Sequence, residues 1–238
     1  MGVVSPDYHE DGSVTFRVQA ANAQKVELEC QMFDGTRPMV KGERGVWSLT
    51  VKPEQPDIYP YAFVIDGTKI ADPNNMFIFP NEGFKYSLAD VKGPQPDHQD
   101  LQKVPHGKVA YTWYKSNAVG FDRPMCIYTP PGYDKNRKKR YPVLYLQHGG
   151  GENEYGWPEQ GKTGLIMDNL IAEGKSEEFI IVMDNGTWAR PRPAAGQMPA
   201  RPQGQRGQGM GLPSNWADGF MNTLINDIIP RVDSRYRT

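Results

Sequence analysis

The spacing of hydrophobic and polar positions changes once along this chain, near residue 104. Before that point apolar residues alternate with polar ones in short runs at 13–18, 25–30, 46–51, 59–65 and 69–70. A period of two is that of a strand burying one face. Turn residues separate the runs: Asp11-Gly12, Asp34-Gly35, Lys41-Gly42, Pro56-Asp57 and Asp66-Gly67. Asp-Gly between two strand-like runs suits the tight hairpin turn with positive φ at both central residues, and Asp66-Gly67 is the clearest such signal. With no helical period in between, the pattern predicts an all-β, immunoglobulin-like sandwich over residues 1–93. Trp47, Tyr59 and Tyr61 fall at alternating positions and are expected in its core.

Residues 94–103 are polar, contain Pro94 and Pro96, and read as a linker. From residue 104 the pattern differs. Residues 108–115 and 124–129 still alternate, but 141–146 is a continuous apolar and aromatic run, too short for a helix that buries all its sides. It predicts a strand covered on both faces, as in parallel sheets. The run ends in His148-Gly149-Gly150-Gly151. Thr163 is placed to cap a helix carrying Leu165, Ile166, Leu170 and Ile171 at helical spacing, stopped by Gly174. Residues 179–183 are a second apolar strand. Phe220, Leu224, Ile225, Ile228, Ile229 and Val232 share one face of a further helix opening near 214–218, whose last turns Pro230 should kink or tighten. Strand, helix, strand, helix predicts an α/β domain over 104–238, with a parallel sheet and flanking helices. Residues 189–213, rich in Pro, Gly, Gln and Arg and free of carboxylates, read as a flexible insert on its rim.

Composition narrows the function. A formal net charge of −1 over 238 residues gives no basic balance for nucleic acid, and no apolar run reaches membrane-spanning length. Cys30 and Cys126 sit among strand-like residues and read as buried free thiols. His98 and His106 lie near Asp97 and Asp100, but their spacing fits no zinc pattern, so no metal or other cofactor is expected.

The candidate chemistry lies in the glycine run. Glycine lets the backbone turn with positive φ and bring bare N–H groups close to a ligand. A strand followed by His-Gly-Gly-Gly is how lipases and esterases bind the oxyanion of a tetrahedral intermediate; taken alone, the run reads equally well as a glycine-rich turn without chemistry. The candidate donors are the backbone amides of Gly150, Gly151 and Glu152. Trp157 and Trp188 follow two strand ends and are candidates to line an aromatic acyl pocket.

Two resemblances extend this reading. Residues 4–30, 45–51, 59–67 and 71–75 resemble the family 48 carbohydrate-binding modules. Starch-binding members place an aromatic platform after the Asp-Gly turn; here Thr68 and Lys69 stand there, so glycan binding does not carry over and a structural role is implied. Val104-Pro105-His106-Gly107, residues 123–133, 141–151 and 168–174, Asp227-Ile228-Ile229-Pro230 and 234–238 resemble the family 1 carbohydrate esterases, a branch of the α/β-hydrolases. That resemblance implies serine-dependent hydrolysis of ferulate esters on plant cell-wall xylan, with acetyl-xylan ester as the alternative. It also implies an oxyanion role for the glycine run, polysaccharide esters as partners, and a periplasmic or secreted location. In that family a nucleophile elbow, G-x-S-x-G, follows the segment resembling 232–238, with the acid and the histidine later still. No such motif occurs among these residues and their eight serines, so the resemblance implies a triad beyond Thr238. Ser214 reads as a helix cap, so a triad of Ser214, His148 and Asp184 has little to place it. The expectation is therefore an incomplete hydrolase domain, inactive by itself, whose strand at 141–147 is covered by self-association or by the missing part. A non-catalytic, glycan-binding or scaffold fragment is the competing class.

Overall fold

The computed structural model describes residues 2–81, 83–186 and 216–238. The insert at 189–213 lies outside the described residues. The first part contains β1 (Asp7–Tyr8), β2 (Val14–Gln19), β3 (Val26–Cys30), β4 (Thr36–Pro38), β5 (Val40–Lys41), β6 (Val46–Val51), β7 (Asp57–Ile65), β8 (Thr68–Ile70) and β9 (Ser87–Val91). These form two antiparallel sheets, ordered β1-β2-β6-β5 and β4-β3-β7-β8, with β9 also on β7. The alternation does what its period implies: Val14, Phe16 and Val18 of β2 meet Leu28, Cys30, Tyr61 and Phe63 of the facing sheet in one core. Trp47 and Tyr61 are buried there as expected, whereas Tyr59 is half-buried. The Asp66-Gly67 turn joins β7 to β8 with φ of 47° and 83°. Asp66 Oδ1 also accepts the Gln24 and Lys25 amides at 3.0 and 2.8 Å, fastening the hairpin tip to the approach of β3. Where an aromatic platform would stand, Lys69 donates to Glu29 at 2.7 Å and to the Tyr86 hydroxyl at 3.0 Å.

The second part contains β10 (Lys108–Lys115), β11 (Asp122–Thr129), β12 (Val143–Tyr145), α1 (Thr163–Ala172), β13 (Ile180–Asp184), α2 (Trp216–Thr223) and α3 (Ile229–Arg235). The sheet order is β10-β11-β13-β12. Only β12 and β13 are parallel; β10–β11 and β11–β13 run antiparallel. The expected parallel sheet is thus mixed among the described residues. A short turn joins β10 to β11 and permits only antiparallel pairing, while the crossover through α1 makes β12 and β13 parallel. Two apolar clusters cover the two faces, with Ile180 and Val182 in one and Ile181 and Met183 in the other.

The run at 141–146 is not the doubly covered strand its composition suggests. Its strand is three residues long, pairs among the described residues with β13, and leaves Leu144 42% exposed. The fully buried strand is β13, in the interior of the sheet. Continuous apolarity marks burial somewhere in the fold; it does not distinguish centre from edge. Two helix details also differ. Lys162, with φ of 51°, is the N-cap of α1, and the Thr163 hydroxyl donates back to the Trp157 carbonyl at 2.8 Å instead of capping. Before Pro230 the helix widens rather than tightens: Leu224–Ile228 is a π turn closed by the Ile229 amide on the Leu224 carbonyl. Proline has no N–H to bond four residues back and crowds that carbonyl, and the wider turn relieves both.

The polar segment before β10 is fastened to α1. Asn169 Nδ2 donates to the His98 and Asp100 carbonyls at 2.6 and 2.9 Å, and His98 Nε2 lies 3.1 Å from Glu173. Both cysteines are free and buried, and burial pushes the Cys30 thiol up to about 11 and Cys126 up to about 12. A raised folded-state value favours the protonated thiol, so this contribution to stability is complete below the ordinary value of 9.0 and fades as pH rises toward 11–12. Iodoacetamide at pH 8 should leave both thiols unlabelled in the native protein and label both in guanidinium; native labelling, read by mass spectrometry, would refute their burial.

Candidate active-site loop

The chain leaves β12 through Leu146, whose amide still bonds the Val182 carbonyl at 2.8 Å, and enters the glycine run. His148 fastens that run to the end of β13: its Nε2 meets the Asn185 carbonyl, while Nδ1 lies 2.7 Å from the Gly149 carbonyl. Gly149 to Glu152 then form a turn closed by the Glu152 amide on the Gly149 carbonyl at 3.3 Å, with Gly151 at φ of 85°. The Glu152 carboxylate folds back onto the Gly149 amide, also at 3.3 Å. Of the three candidate donors, Glu152 is thus tied into the turn. The amides of Gly150 and Gly151 meet no acceptor among the described residues. A Cβ added at Gly150 would touch nothing within 4 Å.

Trp157 lies on the same rim. Its indole donates to the Gln147 carbonyl at 2.9 Å, and its ring lines a cavity of about 420 Å³ with Gly149, Glu152, Asp57 and Ile58. Trp188 lies outside the described residues, so its place beside Trp157 is not brought into this geometry. Two of those lining residues come from the sandwich, which also reaches the loop through Asn81: Asn81 pairs with Glu152 in an isolated antiparallel bridge, and a Cβ on Gly151 would stand 3.6 Å from Asn81 Nδ2. No periodicity marks Asn81, and nothing in the sequence singled it out.

Below the loop sits a buried ionic cluster. Asp184, at the end of β13, accepts Arg123 Nη2 at 2.8 Å, the Tyr114 hydroxyl at 3.0 Å and the Gly186 amide at 3.0 Å. Burial first, then the Asp184 charge, pushes the Tyr114 phenol well above its ordinary range, keeping it a donor. Asp184 is therefore engaged by Arg123 and Tyr114, whereas His148 faces two carbonyls. Ser214 lies outside the described residues. A sequence signal for Arg123 did exist: an arginine at the start of one apolar strand run and an aspartate at the end of another invite pairing.

Thr238, beyond which the resemblance implies a triad, stands at the opposite end of β12 from the glycine run. Its carbonyl accepts Arg140 Nη1, its hydroxyl donates to Asp233 Oδ1 at 2.8 Å, and the neighbouring Arg237 carbonyl accepts the Tyr141 amide at 2.9 Å. These bonds tie the residues after α3 to the approach of β12. Thr238 is thus a structural contact and no member of the loop.

The four histidines meet Thr15, Glu173, Asp168 and backbone carbonyls, and none bonds a serine among the described residues. Nor, among those residues, do three or more His, Cys, Asp or Glu side chains gather to hold a metal. The loop thus presents two open backbone N–H groups, and among the described residues no serine–histidine pair lies beside them.

An immunoglobulin-like sandwich leading into a mixed α/β sheet, with an open glycine turn after a parallel strand, defines a two-part protein of the esterase fold. The chain belongs to the esterase family described as "Putative esterase", whose model matches residues 116–238. Residues 1–81 match the carbohydrate-binding module 48 (isoamylase N-terminal domain). An endo-1,4-beta-xylanase/feruloyl esterase of Xylanibacter ruminicola is 33% identical over 238 residues, covering 98% of this chain and 31% of that protein. Endo-1,4-beta-xylanase Y of Acetivibrio thermocellus is 35% identical over 105 residues, or 43% of this chain and 9% of the relative. The chain thus spans less than a third of the length of these curated relatives. Among solved structures, the enterochelin esterase of Shigella flexneri superposes with a TM-score of 0.62 at 14% identity, covering 93% of this chain and 59% of the other, a likeness of fold.

Proposed function

We propose that this chain carries the oxyanion-binding half of a secreted or periplasmic carbohydrate esterase that cleaves feruloyl esters of plant cell-wall xylan by a serine mechanism. The observation that carries the proposal is the pair of open amides at Gly150 and Gly151, held at the end of a parallel strand beside Trp157. When a serine attacks an ester carbonyl, the carbonyl oxygen takes the negative charge, and these two N–H groups would receive it. Each such donor is worth roughly 10²–10³ in rate. The Trp157 ring in the adjoining cavity offers one face on which a planar hydroxycinnamoyl group could stack, in keeping with the feruloyl esterase name of the Xylanibacter relative. These 238 residues contain no G-x-S-x-G, and on this reading the nucleophile, its acid and its histidine lie beyond Thr238.

Incubating the chain with a fluorophosphonate probe and, separately, with methyl ferulate tests this. No adduct and only background hydrolysis are expected; a labelled serine would overturn the division of the site. In protein that includes the nucleophile, Gly151→Val should lower kcat for methyl ferulate by about 10²-fold or more with little change in KM, because a β-branched residue is strained at a φ of 85° and would turn the amides away from the oxyanion of the transition state. An unchanged kcat would remove the loop from the chemistry.

A further inference from the structure

The glycine loop has one open face and one covered face. A Cβ on Gly150 would meet nothing within 4 Å, whereas a Cβ on Gly151 would stand 3.6 Å from Asn81 Nδ2 and 3.7 Å from its Oδ1. A carboxamide from the sandwich thus borders the place where Gly151 lacks a side chain. Three consecutive glycines leave the backbone unusually free. The two bonds inside the turn, from the Glu152 amide to the Gly149 carbonyl and from the Gly149 amide to the Glu152 carboxylate, are both 3.3 Å, beyond the usual N–H···O range. Such bonds between near neighbours fix the loop's direction weakly. From outside the turn, His148 ties its start to the Asn185 carbonyl, and Asn81 meets its end in the bridge to Glu152. Asn81 is itself well placed: its Oδ1 accepts the Gly83 amide at 2.8 Å, its amide donates to the Phe79 carbonyl at 2.8 Å, and its carbonyl accepts Lys85 Nζ. The Phe79 amide bonds the Tyr86 carbonyl and the Leu88 amide the Phe77 carbonyl, each at 2.8 Å, so this turn is fastened to β9 and the body of the sandwich.

We propose that Asn81 is a positioning residue for the esterase reaction: this one side chain of the sandwich keeps the Gly150 and Gly151 amides aimed at the oxyanion. The inference rests on the oxyanion reading of the loop. Donors to an oxyanion act because their direction is set before the charge develops. An error of about 1 Å in such a group can cost roughly 10²-fold in rate. Asn81 covers the face of the loop turned to the sandwich and leaves the Gly150 face free for substrate. Among the described residues only Oδ1 of its side chain is hydrogen-bonded, so substitution can separate the bond to Gly83 from the contact with Gly151. In this role the sandwich serves the reaction whether or not it binds glycan.

Two readouts test this. In the 238-residue chain, backbone amide order parameters at Gly150 and Gly151, measured by NMR, should fall from roughly 0.85 to below about 0.6 in Asn81→Ala. Asn81→Asp keeps both the shape and the Gly83 bond and should stay near the parent. Asn81→Ser keeps an oxygen for Gly83 but places nothing against Gly151, and should follow alanine. In protein that includes the nucleophile, Asn81→Ala should lower kcat for methyl ferulate by ~10-fold with KM within about twofold, part of the worth of the two donors. The melting temperature should stay within about 2 °C of the parent; a larger fall would assign the contact to stability instead. Unchanged order parameters or an unchanged kcat in Asn81→Ala overturns the proposal. So does a serine variant that behaves as the parent, because the side chain would then serve only its own turn. Gly151→Val separates this inference from the reading beneath it. If that variant lowers kcat and Asn81→Ala does not, Asn81 alone is dismissed; if neither does, the oxyanion role falls and the inference with it.

Discussion

Replacing Arg123 with methionine is expected to cost about 3–5 kcal/mol of stability, the penalty for stranding a buried charge. Arg123 is only 2% exposed and Asp184 only 5%. The guanidinium donates Nη2 to the carboxylate at 2.8 Å and Nε to the Tyr114 hydroxyl at 2.9 Å. Methionine keeps much of the volume but leaves Asp184 with the Tyr114 hydroxyl and the Gly186 amide alone. For a protein of this size the loss corresponds to a fall in melting temperature of roughly 6–20 °C. Adding Asp184→Leu should recover part of it, because the two side chains fail as a pair; a coupling of about 1–3 kcal/mol is expected from the double-mutant cycle. Additive single effects would show that the two groups are stabilised separately. Salt should change little in the parent, since a buried pair is poorly screened. The consequence reaches the glycine loop: Asp184 fixes the end of β13, and the Asn185 carbonyl beyond it holds His148. Hydrogen exchange at residues 148–152 should accelerate in Arg123→Met even well below its melting temperature.

The sandwich was legible because each of its strands buries one face, and a period of two with Asp-Gly turns is visible in a single sequence. Asp66-Gly67 specified a turn type, and the turn is there. The α/β part was legible in its elements and less so in their arrangement. Residues 141–146 and 179–183 have the same character, yet among the described residues one stands at the edge of the sheet and the other inside it, and continuous apolarity does not tell the two places apart. His148 shows the same limit. Its place before the glycines suggested part of an oxyanion motif, and its ring in fact fastens the loop to the Asn185 carbonyl. Asn81 left no trace in any pattern, since a side chain or turn meeting a loop 70 residues later has no period. Asp227 is similar: it lies in a helix read for its apolar face, yet it accepts Ser116 Oγ at 2.6 Å and the Asn117 and Ala118 amides, tying that helix to the β10–β11 turn.

Three of the segments that carried the family resemblance, 104–107, 123–133 and 168–174, meet at one carboxylate, and removing it should be the second large effect. Asp168 on α1 accepts the Tyr128 hydroxyl at 2.7 Å and the Gly107 amide at 2.9 Å on Oδ1, and meets His106 Nδ1 at 2.9 Å on Oδ2. It thereby joins the Val104-Pro105-His106-Gly107 approach, β11 and α1. Gly107 has no freedom to adjust, since a Cβ there would lie 2.3 Å from the Thr129 carbonyl and 2.6 Å from the Tyr128 ring. Burial, then the bond to Asp168, pushes the Tyr128 phenol well above its ordinary range, so it remains a donor through neutral and alkaline pH. Asp168→Ala deprives the buried Tyr128 hydroxyl, the half-buried Gly107 amide and the imidazole of their acceptor, at about 1–3 kcal/mol for the buried donor and less for the others, or roughly 3 kcal/mol in all. Asp168→Asn keeps one oxygen for Tyr128 and Gly107 but turns an amide toward His106, and should fall between the parent and alanine. The loss should also reach the site, because α1 begins at Thr163, whose hydroxyl donates to the Trp157 carbonyl. Thermal melting followed by tryptophan fluorescence reads both effects. A melting temperature for Asp168→Ala within about 2 °C of the parent, less than 1 kcal/mol at this size, would mean that the clamp contributes nothing and that apolar packing alone holds α1 to the sheet.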